Sequence, residues 1–221
     1  MKNCDVGWGA ISECNMKCKF CYSMSVRKEV KDDNVGLKEW IAFIDSNHEN
    51  INSINYGTGE NSLSDDWFRL IDYISTNYGR IKQAITTNGT LYNRIMENPE
   101  FERIFNKSIS EVDVSLDFYK PRIHDNFRGL EGTYESAVGM LDYCKDKDIE
   151  TTLVFIGIDE VLQIDNLKGI FEIAEDNRCK LRTNIFRPMN ISSSLQKKFI
   201  AKFTTIINCL KWINENHEIL Y

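Results

Sequence analysis

Three cysteines, Cys14, Cys18 and Cys21, fall within one short run, Cys14-Asn-Met-Lys-Cys18-Lys-Phe-Cys21. Packing gives no reason for three thiols so close together, and they converge only if the backbone loops around one centre. That is how a metal ion or an iron-sulfur cluster is gripped. Three thiolates leave one iron of a four-iron cluster without a protein ligand, so a small molecule can coordinate it directly. The competing reading is a zinc-stabilised binding module. A structural zinc site collects four ligands, commonly in C-x-x-C pairs, and no second pair or nearby His accompanies this triplet. A disulfide framework does not suit a chain of 221 residues with seven cysteines, three of them crowded into one loop.

The remaining residues able to do chemistry fall at the ends of predicted strands. Gly57-Thr-Gly-Glu60 offers backbone that can approach a ligand closely. Thr86-Thr-Asn88-Gly89 reads equally as an Asn-Gly turn. Ser115-Leu-Asp117 is followed by Arg128 in His124-Asp-Asn-Phe-Arg-Gly129, and a guanidinium can bind a carboxylate through two parallel hydrogen bonds. Tyr56, Asp117, Asp159, Glu160, Asn184 and Arg187 are further polar candidates. Asp125 reads as a turn organiser and His124 as structural, while His48 and His217 lie at predicted helix ends. Cys4 and Cys179 are expected at the opposite ends of their strands, Cys144 and Cys209 in outer helices, all four as small buried hydrophobes.

The elements that must position these residues alternate strictly. Strands are predicted over Asp5 to Ser12, Ile51 to Tyr56, Ile81 to Thr87, Val112 to Leu116, Glu150 to Ile158 and Leu181 to Phe186. Helices are predicted from Leu37 to Asn47, after the N-cap Ser64, over Leu91 to Phe105, Thr133 to Lys147 and Asp165 to Asn177. A last helix is expected from Ser192 to about Asn216, with Phe199, Phe203, Ile206, Ile207, Leu210 and Ile213 on one side. Six strand-helix units imply parallel strands joined by right-handed crossovers. The unusual residues crowd the carboxyl ends of the strands, and a complete or partial barrel gathers those ends at one mouth where an open sheet spreads them along an edge.

The length suits one domain spanning 1 to 221, and no apolar run approaches the ~20 residues that cross a membrane. Free cysteines without a signal peptide predict a cytoplasmic protein. A net charge of −6 argues against nucleic acid as the main partner.

The C-x-x-x-C-x-x-C spacing resembles the defining motif of the radical S-adenosylmethionine (SAM) family, and the resemblance covers residues 5 to 190. It implies an α/β fold, a partial (β/α)6 TIM-type barrel, with a [4Fe-4S] cluster on Cys14, Cys18 and Cys21. SAM would then be held by Phe20 beside the adenine, by Gly57, Thr58, Gly59 and Glu60 near the amino group, by Asn88, and by Ser115, Asp117 and Arg128 near the ribose and carboxylate. Thr58 stands where the family more usually has glycine. The implied activity is reductive cleavage of SAM to a 5'-deoxyadenosyl radical that abstracts hydrogen from a substrate, with a flavodoxin or ferredoxin as electron donor. The run from Ser115 to Ile158 resembles maturases that modify ribosomally made peptides. Those often continue into a cysteine-rich SPASM domain not visible in these residues, so a compact stand-alone enzyme and part of a longer one both remain open. A glycyl-radical-enzyme activating enzyme and a small-molecule enzyme are the rival readings.

Overall fold

The computed structural model describes residues 4–21, 23, 35–186 and 197–217. Six strands, β1 (Cys4–Trp8), β2 (Ile51–Tyr56), β3 (Lys82–Thr87), β4 (Glu111–Ser115), β5 (Glu150–Gly157) and β6 (Lys180–Ile185), form one sheet in sequence order. Every pairing is parallel. Helices occupy the connections: α1 (Leu37–Asn47), α2 (Asp65–Asn77), α3 (Leu91–Glu97), α4 (Pro99–Ser108), α5 (Pro121–Arg128), α6 (Thr133–Asp146), α7 (Ile164–Asp176) and, after β6, α8 (Phe203–Asn216). This is the partial (β/α)6 barrel expected from the alternation.

Strand alternation decides where the core lies. On β4, Val112 and Val114 are buried while Asp113 and Ser115 face the other side and stay half-buried. The buried set meets the helices: Ile54, Ile85, Val112, Val114 and Leu153 pack with Trp67, Phe68, Phe105 and Leu141 into one apolar layer. Phe68 and Phe101 stack at 4.1 Å between centroids, joining α2 to α4.

Several boundaries differ from expectation. β1 ends at Trp8, four residues early: Gly57 N–H to the Trp8 carbonyl at 3.0 Å is the last rung to β2, and beyond it Ala10 N–H turns to Asn61 Oδ1. The single helix expected over Leu91 to Phe105 is two, broken where Asn98 caps the second helix and Pro99 occupies its first turn. Helix α5 was not expected; Pro121 starts it and Gly129, at φ 76°, stops it. Helix α8 begins at Phe203, so Phe199 lies outside it, and Phe203 and Leu210 are exposed rather than part of its packed face. Residues 192–196 of that expected helix lie outside the described residues. The N-cap Ser64 is as expected, accepting from Trp67 N–H at 3.3 Å.

Phe105 touches α6 through Tyr143 and is wholly buried. Phe105→Ala is expected to cost about 3–5 kcal/mol in urea unfolding; a cost under about 1 kcal/mol contradicts the packing described.

Candidate active site

The cysteine loop leaves the end of β1 and returns across the ends of β2 and β3. Two tethers hold it. Glu60 N–H donates to Glu13 O at 2.8 Å, and Asn88 Nδ2 reaches Asn15 Oδ1 at 2.9 Å while Asn15 Nδ2 reaches Thr90 Oγ1 at 3.0 Å. Within the loop, Cys21 N–H donates to Cys18 O at 3.1 Å, a tight turn that brings two of the three thiols together. Met16, which is buried, lines the cavity from within the loop.

The turn after β2 is shaped by two residues with left-handed backbone, Thr58 at φ 69° and Gly59 at φ 66°. Gly59 has a specific reason to be glycine: a Cβ there would stand 2.4 Å from the Glu13 carbonyl oxygen and 2.9 Å from that of Ile11. The cysteine loop can lie this close to β2 only because no side chain intervenes.

Glu60 follows that turn and points inward. Its carboxylate accepts from Ser62 Oγ at 2.7 Å, Thr87 Oγ1 at 3.0 Å and Asn88 N–H at 2.8 Å, with no exposure to water. Burial pushes its pKa up, against the opposing pull of the bonds from Asn88, Ser62 and Thr87. Asn88 turns its own Oδ1 to Thr90 N–H and Oγ1, starting α3, and its Nδ2 lies 3.8 Å from Cys14 Sγ.

On the far wall, Asp117 is fully buried. Its Oδ1 accepts from Ile156 N–H at 2.8 Å and its Oδ2 from Arg128 Nε at 2.7 Å. His124 Nδ1 accepts from Asp117 N–H at 3.2 Å, so the imidazole is neutral; burial, helped by Arg128, depresses its pKa to about 4. Asp125 gathers Gly132 N–H, Tyr134 N–H and Thr133 Oγ1 within 2.9 Å, the turn role expected of it.

Between these walls lies a cavity of about 560 Å³. All three cysteines of the loop line it, as do Phe20, Thr58, Gly59, Asn88, Ser115 and Arg128. Of the residues expected at a cofactor site, Gly57, Glu60 and Asp117 do not line it; they stand directly behind residues that do. Phe20 stacks on Phe127 at 4.6 Å, with the Arg128 guanidinium 5.3 Å over its ring.

Other expectations are corrected. Tyr56 is not at the mouth: it lies on the same strand face as Ile54, is wholly buried against Trp67, and donates to Gln83 Oε1 at 2.8 Å. Asp159 accepts from Lys202 N–H at 2.8 Å ahead of α8, and Glu160 is exposed. Asn184 does line the cavity, while Arg187 lies outside the described residues. Cys144 and Cys209 are buried in helices as expected, whereas Cys4 is exposed and Cys179 half-buried. Sequence reading missed Asn15 as a tether; its only local signal was a polar residue next to Cys14. It also missed the apolar wall of Val154, Phe155, Ile156, Ile185 and Phe186 at the ends of β5 and β6, which comes together only once the sheet is curled.

The profile of the Radical SAM superfamily matches residues 10–172. The chain is similar to Fe-coproporphyrin III synthase of Methanosarcina barkeri (strain Fusaro / DSM 804), 28% identical over 176 residues, which are 78% of this chain and 41% of that protein. It is also similar to the antilisterial bacteriocin subtilosin biosynthesis protein AlbA of Bacillus subtilis (strain 168), 26% identical over 137 residues, covering 62% of this chain and 29% of that one. In fold it matches Streptococcus suis SuiB bound to S-adenosylmethionine, with a TM-score of 0.77 at 14% identity over 97% of this chain and 47% of that one. The chain thus spans less than half the length of each of these relatives.

The Glu60 carboxyl carries a pH signature. Because its folded pKa lies above the unfolded one, the native state keeps the proton after the unfolded chain has released it, and this group's contribution to stability falls as pH rises through that interval. In urea unfolding of the metal-free protein, Glu60→Gln is therefore expected to gain on wild type as pH rises above the ordinary glutamate value. A difference that stays flat with pH contradicts this.

Proposed function

The chain belongs to the radical SAM superfamily, and on that premise we propose that Cys14, Cys18 and Cys21 hold a [4Fe-4S] cluster at the barrel mouth with SAM in the adjoining cavity. The observation that carries this reading is the shared cavity, since all three thiols face the same space as Thr58, Asn88, Ser115 and Arg128. The donor set fits the cluster better than zinc. Tetrahedral thiolates on one zinc ion lie about 3.8 Å apart, given Zn–S bonds of about 2.3 Å. Among the described residues no group of three or more His, Cys, Asp or Glu side chains is arranged to hold a single ion. A four-iron cluster instead offers each thiolate its own iron, so ligands ringing a cavity suffice.

Held there, the cluster and SAM would supply hydrogen-atom abstraction from a substrate C–H bond through a 5'-deoxyadenosyl radical, with the electron coming from a donor such as flavodoxin or ferredoxin. The chain's own residues orient and shield. Thr58 and Gly59 line the cavity where the SAM amino group would lie, Ser115 lies near the ribose or carboxylate, and Arg128 faces the carboxylate with N–H groups that Asp117 does not use. The Phe20 ring offers an apolar face to the adenine. Glu60 acts one step back, fixing Thr87 and Asn88. Val154, Ile156 and Phe186 keep water from the reacting carbon.

For substrate we favour a ribosomally made peptide. The support is the likeness of the stretch from Ser115 to Ile158 to peptide maturases, together with similarity to a bacteriocin biosynthesis protein. The similarity to Fe-coproporphyrin III synthase supports a second reading, a tetrapyrrole against the apolar wall of β5 and β6.

Anaerobic reconstitution with iron, sulfide, SAM and dithionite is expected to give a brown protein that forms 5'-deoxyadenosine. Cys18→Ala should lose both cluster and product. A colourless protein holding stoichiometric zinc, or a cluster-loaded protein that never cleaves SAM with peptide or porphyrin present, contradicts the proposal.

A further inference from the structure

Arg128 ends α5 with its guanidinium turned into the protein. Nε donates to Asp117 Oδ2 at 2.7 Å, and a terminal nitrogen stands 2.7 Å from the same oxygen. The arginine side chain is 10% exposed and the aspartate 0%. Cys18 Sγ donates to the Arg128 carbonyl at 3.6 Å, Cys18 and Arg128 line the same cavity, and the guanidinium stands 5.3 Å over the ring of Phe20, two residues from Cys18.

Asp117 is fixed on every side. Besides Arg128 it holds Ile156 N–H, its own N–H donates to His124 Nδ1, and its carbonyl accepts from Asn166 Nδ2 at 2.8 Å. A buried ion pair is weak evidence for stability, because desolvation offsets most of the attraction. An ion pair held this firmly against one thiol of the cysteine loop has another use.

We infer that Asp117 is a positioning residue, and that the Asp117–Arg128 pair sets the reduction potential of the cluster through Cys18. The inference rests on the cluster assignment proposed above. Reduction adds one electron to the cluster. A buried cation beside a ligand sulfur favours that state, and an anion behind it opposes it, because cluster potentials respond to local charge. Burial removes the water that would screen either charge. Asp117 thus fixes the guanidinium on the Cys18 side of the cavity and moderates its charge, leaving the arginine's other donors for SAM.

The test is a dithionite titration of the reconstituted, SAM-free protein followed by electron paramagnetic resonance, with iron content and circular dichroism measured on each variant. Arg128→Gln is expected to lower the midpoint, shifting the reduced-to-oxidised ratio at fixed potential about tenfold, or about 59 mV for one electron. Arg128→Lys, which keeps the charge, should stay nearer wild type. Asp117→Asn should raise the midpoint, and the double variant should fall between the two single ones. Structural damage alone gives no opposed pair of shifts. Unchanged midpoints, or shifts of the same sign in Asp117→Asn and Arg128→Gln, overturn the inference, as does loss of the cluster from a folded Asp117→Asn protein. Should Asp117→Asn not fold, equal midpoints for Arg128→Gln and Arg128→Lys overturn it instead. A wild-type protein that takes up no cluster defeats the assignment of the site itself, whereas a cluster-loaded wild type with unmoved midpoints defeats only the role given to the pair.

Discussion

The buried carboxylate of Glu60 ties together the three strand ends on which the site depends. Its backbone N–H takes the cysteine loop at Glu13, and its side chain takes Thr87 and Asn88 at the end of β3. Asn88 in turn reaches Asn15, closing a ring from β1 through β2 and β3 back to the loop. Removing a carboxylate from water is costly, and three donors, Ser62 Oγ, Thr87 Oγ1 and Asn88 N–H, offset part of that cost. The turn that aims it requires left-handed backbone at Thr58 and Gly59, and the second of these has no room for a Cβ. Backbone conformation, buried charge and loop placement are therefore one constraint.

A second buried carboxylate, Asp117, does comparable work across the cavity, holding β5 through Ile156, α5 through Arg128 and α7 through Asn166. The apolar layer between sheet and helices supplies the stiffness behind both. It fixes the strands in register, and the strands present their carboxyl ends to one space. Charge is thus placed at the mouth while burial of hydrocarbon is delegated to the outer layer.

Much of this was legible in the sequence because its signals are local. Cysteine spacing, six alternations of strand and helix, and the Ser64 cap all depend on neighbours a few residues apart. What escaped depends on direction in space. Helix α5 carries only Ile123 and Phe127 as apolar residues among polar ones, too few for a stripe, so it read as loop. Tyr56 was placed at the mouth by its position at the end of β2, whereas period-two alternation with Ile54 turns it toward α2. Glu60 sits in a motif that sequence alone gives to a ligand; two residues at positive φ turn it inward instead. The break at Asn98-Pro99 went unread although its signal is local, since an Asn cap followed by proline is a helix start.

The central claim is that three thiols ring a cavity and leave a fourth iron open to a ligand within it. Mössbauer spectra of protein reconstituted with 57Fe, recorded before and after SAM is added, address it directly. The account predicts that one iron site in four changes its parameters on SAM binding while the three cysteinyl sites hold theirs. Four sites that remain equivalent and unmoved by SAM, in protein that carries a full cluster, would contradict it.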